Sequence, residues 1–194
     1  LPDAPDAFRK ALDVLDQQAT SHPASHAPSI LLPEPDDEKV EQAAALLAGA
    51  RRPLIYAGGG AVSSGAAPFV LKLAERLKAP VLTSIMGKGA IPEDHPLSLG
   101  ALWSAGNAVD AYLQQADVVV VIGSKLGAQA TQMFQMVLPE NLIRIDIDPR
   151  EMHLNAQPST PLLGDAALVS ERLVAVLSDA VELAGVDQTS EVVA

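Results

Sequence analysis

The sequence predicts a doubly wound α/β domain, with five or six parallel strands and helices on both faces. Three observations carry this. Short apolar runs alternate with amphipathic helical periods from Leu54 to Leu163. One run, Val118-Val119-Val120-Val121-Ile122, is unbroken and almost wholly β-branched, the pattern of a strand covered on both faces. Hydrophobic residues make up 48% of the chain and aromatics only 3%, so Ala, Val, Leu and Ile must fill the core. Strands separated by helices require right-handed crossovers and therefore run parallel.

Taken in order, Phe8, Leu12 and Leu15 predict a short amphipathic helix within residues 5–18. The Pro/Ser-rich stretch from Thr20 to Pro28 reads as a linker. Residues 1–33 are thus an N-terminal helix and linker, residues 34–178 the main domain, and residues 179–194 a flexible tail. Within the main domain, Asp36 to Ala48 place Val40, Ala43, Ala44 and Leu47 on one helical face, with Gly49 as the expected stop. Leu54 to Ala57 form a short buried strand. Phe69, Val70, Leu73 and Leu77 mark a second helix, whose first turn must hold Pro68; Arg76 and Lys78 suit its last turn. Pro80 to Thr83 are the next strand, and Val109, Tyr112, Leu113 and Ala116 the third helix. Val118 to Ile122 should lie near the centre of the sheet. Leu142 to Ile147 are the fourth strand and Leu162-Leu163 a short fifth, and Asp165 is the expected N-cap of a last helix to about Leu177.

Composition excludes several classes of function. A formal net charge of −11, with no basic run, argues against nucleic-acid or anionic-membrane partners. The absence of cysteine removes disulfides, thiolate nucleophiles and Cys-based metal sites, and is compatible with the cytoplasm. No secretory signal precedes Asp3, and no apolar run approaches the ~20 residues that span a bilayer. The missing initiator Met is consistent with a piece cut from a longer chain. His22 and His26 are four apart, but Pro23 makes a shared helix doubtful, so no metal site is expected there.

Gly58-Gly59-Gly60-Ala61-Val62-Ser63-Ser64-Gly65, between a strand and a helix, could turn backbone amides toward an anion. It fails the dinucleotide fingerprint, because Ser63 stands where the third Gly is needed and Thr83 where the acidic residue is expected. It fails as a P-loop because Ala66 follows Gly65. The competing reading is a tight turn that needs positive φ; for a nucleotide reached some other way the two are even. Asp146 and Asp148 stand at a strand end, where open sheets bind ligands, although Asp148-Pro149 also reads as a turn whose Asp caps a following short helix. No residue pattern builds a catalytic site.

Several stretches together resemble the middle domain of acetolactate synthase and its relatives: Arg52 to Gly60, Ser63 to Gly65, Ala79 to Thr83, Met86 to Gly100, Ala116-Asp117, Gly123-Ser124, Ile145 to Pro149, and Gly164 to Ala166. The resemblance implies a Rossmann-like domain of the DHS type of FAD/NAD-binding fold, cytoplasmic and inactive alone. Its parent would be a thiamine-diphosphate- and Mg²⁺-dependent lyase or transferase acting on a 2-keto acid. Complete enzymes of the family have three domains. The first carries the catalytic glutamate; the last binds diphosphate and Mg²⁺ through Gly-Asp-Gly, which this chain lacks, its one Gly-Asp being followed by Ala166. The partners implied are the other two domains and further copies in a homo-oligomer. Whether residues 1–33 are the tail of the first domain stays open.

In some family members the middle domain binds FAD; in others it binds no nucleotide. Carried over, the flavin-facing positions are Gly58, Gly59, Gly60, Thr83, Ile85, Met86, Gly123, Asp146, Ile147 and Asp165. FAD-binding synthases have an Arg-Phe-Asp-Asp-Arg type stretch after the third strand. Lys125-Leu126-Gly127-Ala128-Gln129 stands there instead, and Lys125 replaces at most one of the arginines. That departure weighs against tight FAD binding. The alternative reading is a free-standing FAD- or nucleotide-binding module of electron-transfer-flavoprotein or sirtuin-like type.

Overall fold

A computed structural model of the chain describes residues 33–101 and 108–177, together with Asp6 and Lys10. The chain divides into two units, Leu1–Leu31 and Leu32–Ala194. Of the first unit, Asp6 and Lys10 have helical backbone. The expected N-terminal helix and linker otherwise lie outside the described residues, as does the expected C-terminal tail.

The second unit holds one sheet of six strands: β1 (Pro53–Ala57), β2 (Val81–Thr83), β3 (Ser98–Ala101), β4 (Val118–Ile122), β5 (Leu142–Asp146) and β6 (Thr160–Leu163). Their order is β3-β2-β1-β4-β5-β6, and every neighbouring pair is parallel. The chain builds outward from β1 to β3, then returns to the other side of β1 to lay down β4. The order therefore reverses between β1 and β4, and a crevice opens beyond their carboxyl ends.

The helices are α1 (Asp37–Gly49), α2 (Gly59–Ser63), α3 (Ala67–Leu77), α4 (Ala108–Gln115) and α5 (Ala166–Val176). Along β4, Val118, Val120 and Ile122 face a core built with α1, α3 and α5, while Val119 and Val121 face a second core with Tyr112 and Leu113 of α4 and Ala116 just beyond it. Alternate residues thus bury on opposite faces, and β4 occupies a central position, as its composition requires. The second face has less helix, and Leu126, Met136 and Leu138 from the β4–β5 connection complete its cover.

Local chemistry sets the element ends. Asp36 accepts bonds from the amides of Glu38 and Lys39, and Asp165 from Ala167 and Leu168, so both cap their helices. Pro68 sits in the first turn of α3. Gly49 does not end α1 in a left-handed cap: it stays helical, and the chain leaves through extended Ala50. At the end of α3 it is Lys78, with φ 50°, that takes the left-handed cap. Asp148-Pro149 starts a turn, with the Asp148 carboxylate accepting from the Arg150 amide, but no helix follows. β3, unforeseen as a strand, is a half-buried edge strand whose register shifts against β2; Gly100 within it has φ 68°.

Candidate functional site

A cleft of about 830 Å³ lies at the reversal point, bounded by the segments that leave β1, β2, β4 and β5 and by the start of α5. Gly59, Gly60, Ile85, Met86, Gly123, Lys125, Asp146, Ile147 and Asp165 line it. Gly58 and Thr83 are not among its lining residues. Thr83 is buried and donates its hydroxyl to the Gly100 carbonyl at 3.2 Å. Ser63, Ser64, Ser84, Ser124 and Gln129 also line the cleft, and none of them stood among the positions carried over as flavin-facing.

One wall is backbone against backbone. The Gly58 amide donates to the Ile122 carbonyl at 2.8 Å, the Gly60 amide to the Gly123 carbonyl at 2.9 Å, and the Ala61 amide to the Gly58 carbonyl at 3.1 Å. Three amides of the glycine-rich turn are thereby committed to protein acceptors. Positive φ is not the reason for glycine at residue 58, where φ is −100°. A Cβ there would fall 2.3 Å from the Gly123 oxygen. Gly123 has φ 60°, and its own Cβ would come within 2.6 Å of the Gly60 backbone.

The other wall is stitched by side chains. Arg144, 0% exposed in the middle of β5, donates to the carbonyls of Leu154 at 2.6 Å and Ser124 at 3.1 Å. Its Nη2 lies 3.9 Å from the Asp146 carboxylate, and its Nε has no partner. Burial holds its pKa below the ordinary guanidinium value, an effect that the Asp146 charge opposes. Asp146 also accepts from the Asp148 amide at 3.0 Å. Asn155, left-handed at φ 66°, donates to the Lys125 carbonyl at 2.9 Å. The Lys125 ammonium meets Glu151 at 3.0 Å, and the hydrogen bond and charge of that carboxylate raise the lysine pKa. Outside, Arg150 pairs with Asp148 at 2.7 Å and holds that carboxyl at about 2. In the second core, Tyr56 donates to the Ala130 carbonyl at 2.7 Å and anchors the turn Ala128–Thr131; burial pushes its hydroxyl pKa up.

Arg144 could have been noticed in the sequence, since a lone Arg within Leu142-Ile143-Arg144-Ile145 cannot be buried without partners. Glu151 and Asn155 give no such signal; only the fold brings them to Lys125.

Residues 40–173 match the family described as thiamine pyrophosphate enzyme, central domain. The chain belongs to this family. It is 42% identical over 141 residues to a protein of Methanocaldococcus jannaschii named "Probable acetolactate synthase large subunit", covering 72% of this chain and 24% of that one. It is 38% identical over 140 residues to the "Probable 2-ketoarginine decarboxylase AruI" of Pseudomonas aeruginosa, again 72% of this chain and 24% of the relative. Among solved structures, benzoylformate decarboxylase from Polynucleobacter necessarius superposes with a TM-score of 0.65 at 26% identity, over 81% of this chain and 30% of that chain. The domain therefore spans about a quarter of the length of these curated relatives. The matches lend no support to the electron-transfer-flavoprotein or sirtuin-like alternative.

Two groups implied by the family can be tested against the residues present. Thiamine diphosphate with Mg²⁺ needs carboxylate and amide ligands. Among the described residues, no group of three or more His, Cys, Asp or Glu could hold a metal, and the chain has no Gly-Asp-Gly. The domain does not fit that group. A dinucleotide such as FAD would bring a pyrophosphate to the cleft, where Lys125 is the one cation among the lining residues and is already paired. The pyrophosphate fits poorly.

Proposed function

We propose that this chain is the central domain of a thiamine-diphosphate-dependent enzyme acting on a 2-keto acid, and that it contributes architecture and a ligand cleft but no catalytic group. The match of the central-domain family across the whole sheet carries this reading, supported by relatives named as a synthase and a decarboxylase. Thiamine diphosphate and Mg²⁺ are held by the rest of the parent enzyme. The domain spaces those parts and supports a homo-oligomer in the cytoplasm. Among the described residues no helix is long and apolar enough to cross a membrane.

The site residues divide by task. Gly58, Gly60 and Gly123 bring the carboxyl ends of β1 and β4 together. Ile85, Met86 and Ile147 offer apolar contact, and Asp146 and Asp165 accept hydrogen bonds from a ligand. FAD, if offered, is held weakly.

Calorimetry with thiamine diphosphate and Mg²⁺ tests this. The chain alone shows no Mg²⁺-dependent heat and releases no CO₂ from pyruvate or other 2-keto acids, whereas the full-length parent does both. Mg²⁺-dependent binding by the chain alone overturns the assignment of roles.

A further inference from the structure

Away from the cleft floor, apolar surface is concentrated on the β4–β5 connection. From Leu126 to Pro139 no residue is charged, although 19% of the chain is. Met133 is 69% exposed, Phe134 60% and Val137 65%, and Phe134 is the one aromatic among the exposed large hydrophobic residues described. Met136 and Leu138 of the same stretch pack against the second core. The segment thus buries part of its apolar surface and presents the rest to solvent.

Its backbone is costly to hold. Gln132, Met133 and Phe134 are consecutive, none is glycine, and all three are left-handed, with φ of 52°, 57° and 64°. In that region Cβ crowds the following carbonyl oxygen, and such a run persists only where its surroundings over-determine it. They do so here. Buried Thr131 donates to the Gly127 carbonyl at 3.0 Å and accepts from the Phe134 amide at 3.2 Å. The Gln132 side chain donates to the Asp110 carboxylate at 3.2 Å. The Met133 amide reaches the Ala128 carbonyl at 2.6 Å, and the Gln135 and Met136 amides both reach that of Thr131. A turn meant only for water would use glycine, asparagine or aspartate at the left-handed positions. Met and Phe without charges around them are the composition of an interface centre, and a loop pinned in advance loses little freedom when a partner arrives. The loop also stands on the face of the sheet that has less helix, where a further layer would complete the cover. The chain covers 24% of its curated relatives, which leaves about three quarters of such a parent to supply that layer.

We propose, on the reading of the chain as one domain of a longer enzyme, that Met133, Phe134 and Val137 form the docking surface by which it packs against an uncharged, apolar face of another domain of the parent. Charge contributes nothing to such a contact, so salt does not weaken it.

Methionine oxidation by dilute peroxide, read residue by residue from peptide masses, tests this without altering the chain. Met133 oxidises readily in this chain and at least about tenfold more slowly in the full-length parent, at low and high salt alike. Phe134→Gly has opposite effects in the two proteins. It relieves a left-handed residue and removes an exposed ring, so this chain melts at the same temperature or higher. In the parent it removes the centre of the contact, lowers the melting temperature by at least about 2 °C and restores most of the Met133 oxidation. Any of four results overturns the proposal. Met133 oxidises in the parent at the rate seen in this chain. Its protection appears in this chain alone as concentration rises, which assigns the surface to a second copy. Phe134→Gly lowers the melting temperature of this chain, which makes the ring part of the domain's own packing. Phe134→Gly leaves the parent's melting temperature unchanged. Each leaves the thiamine-enzyme reading standing, because Mg²⁺-dependent binding of thiamine diphosphate by the parent decides that separately.

Discussion

The two walls of the cleft are built on opposite principles. The wall formed by Gly58, Gly60 and Gly123 is main chain on main chain, with no charge and no room for a methyl group. The wall formed by Lys125, Arg144, Asp146, Glu151 and Asn155 is held by side chains reaching between the segments that leave β4 and β5. The glycine wall is conspicuous in sequence, and its Gly58, Gly60 and Ala61 amides donate to protein carbonyls. The charged wall is inconspicuous in sequence and sets the electrostatic character of the cleft. A glycine-rich strand-to-helix turn is therefore weak evidence for an anion site until its amides are accounted for.

The contrast breaks most sharply at Gly123. Gly123→Ala puts a Cβ against the Gly60 backbone and requires a left-handed alanine. It should cost about 3 kcal/mol or more, read as a lowered urea midpoint at unchanged m-value. If it costs less than ~1 kcal/mol, the wall is looser than the close approach implies.

On the other wall, Arg144→Met keeps the volume but orphans the Leu154 and Ser124 carbonyls and leaves Asp146 without its buried counter-charge. A loss of about 2–3 kcal/mol is expected. Loosening confined to residues 124–127 and 147–157, seen by amide hydrogen exchange, would mark Arg144 as the tie between those segments.

Asp165 separates cap from ligand contact. Asp165→Ala should cost about 1 kcal/mol by removing the acceptor for the Ala167 and Leu168 amides. Asp165→Ser keeps a capping oxygen and should restore most of that stability, while any ligand affinity that depends on the carboxylate stays lost.

The smallest effect belongs to the outer pair. The Arg150 hydrogen bonds hold Asp148 at about 2, below its ordinary 3.8. A depressed carboxyl pKa favours the folded state above the unfolded value, and that contribution disappears as pH falls through the folded one. Stability followed from pH 5 to pH 2 should decline slightly less steeply in Asp148→Asn than in the parent chain. Indistinguishable slopes would show that the pair is fully screened by solvent.

Much of the architecture was legible because it rests on local rules. The unbroken run Val118 to Ile122 demanded cover on both faces, Asp36 and Asp165 announced helix starts, and Pro68 placed the first turn of α3. β3 was not legible: Ser98-Leu99-Gly100-Ala101 is short, half-buried and interrupted by a left-handed glycine, so neither period nor propensity marks it as a strand. In the cleft, Asp146 could be named because topology puts strand ends at the crevice, and Met86 because the family resemblance carried it over. Glu151 could not, since nothing within its own stretch of chain refers to Lys125, 26 residues away.

Alone, the sequence determined a parallel sheet, its central strand and the N-caps Asp36 and Asp165, because hydrophobic period and capping chemistry act over a few residues, and it showed the family through the resemblance of its matching stretches. The tertiary structure decided which partners the glycine-rich turn and the charged residues of the cleft meet. Those depend on which carbonyl each amide reaches and which carboxylate each cation meets, and only the pairing of β1 with β4 and the return from β5 to β6 bring these groups together.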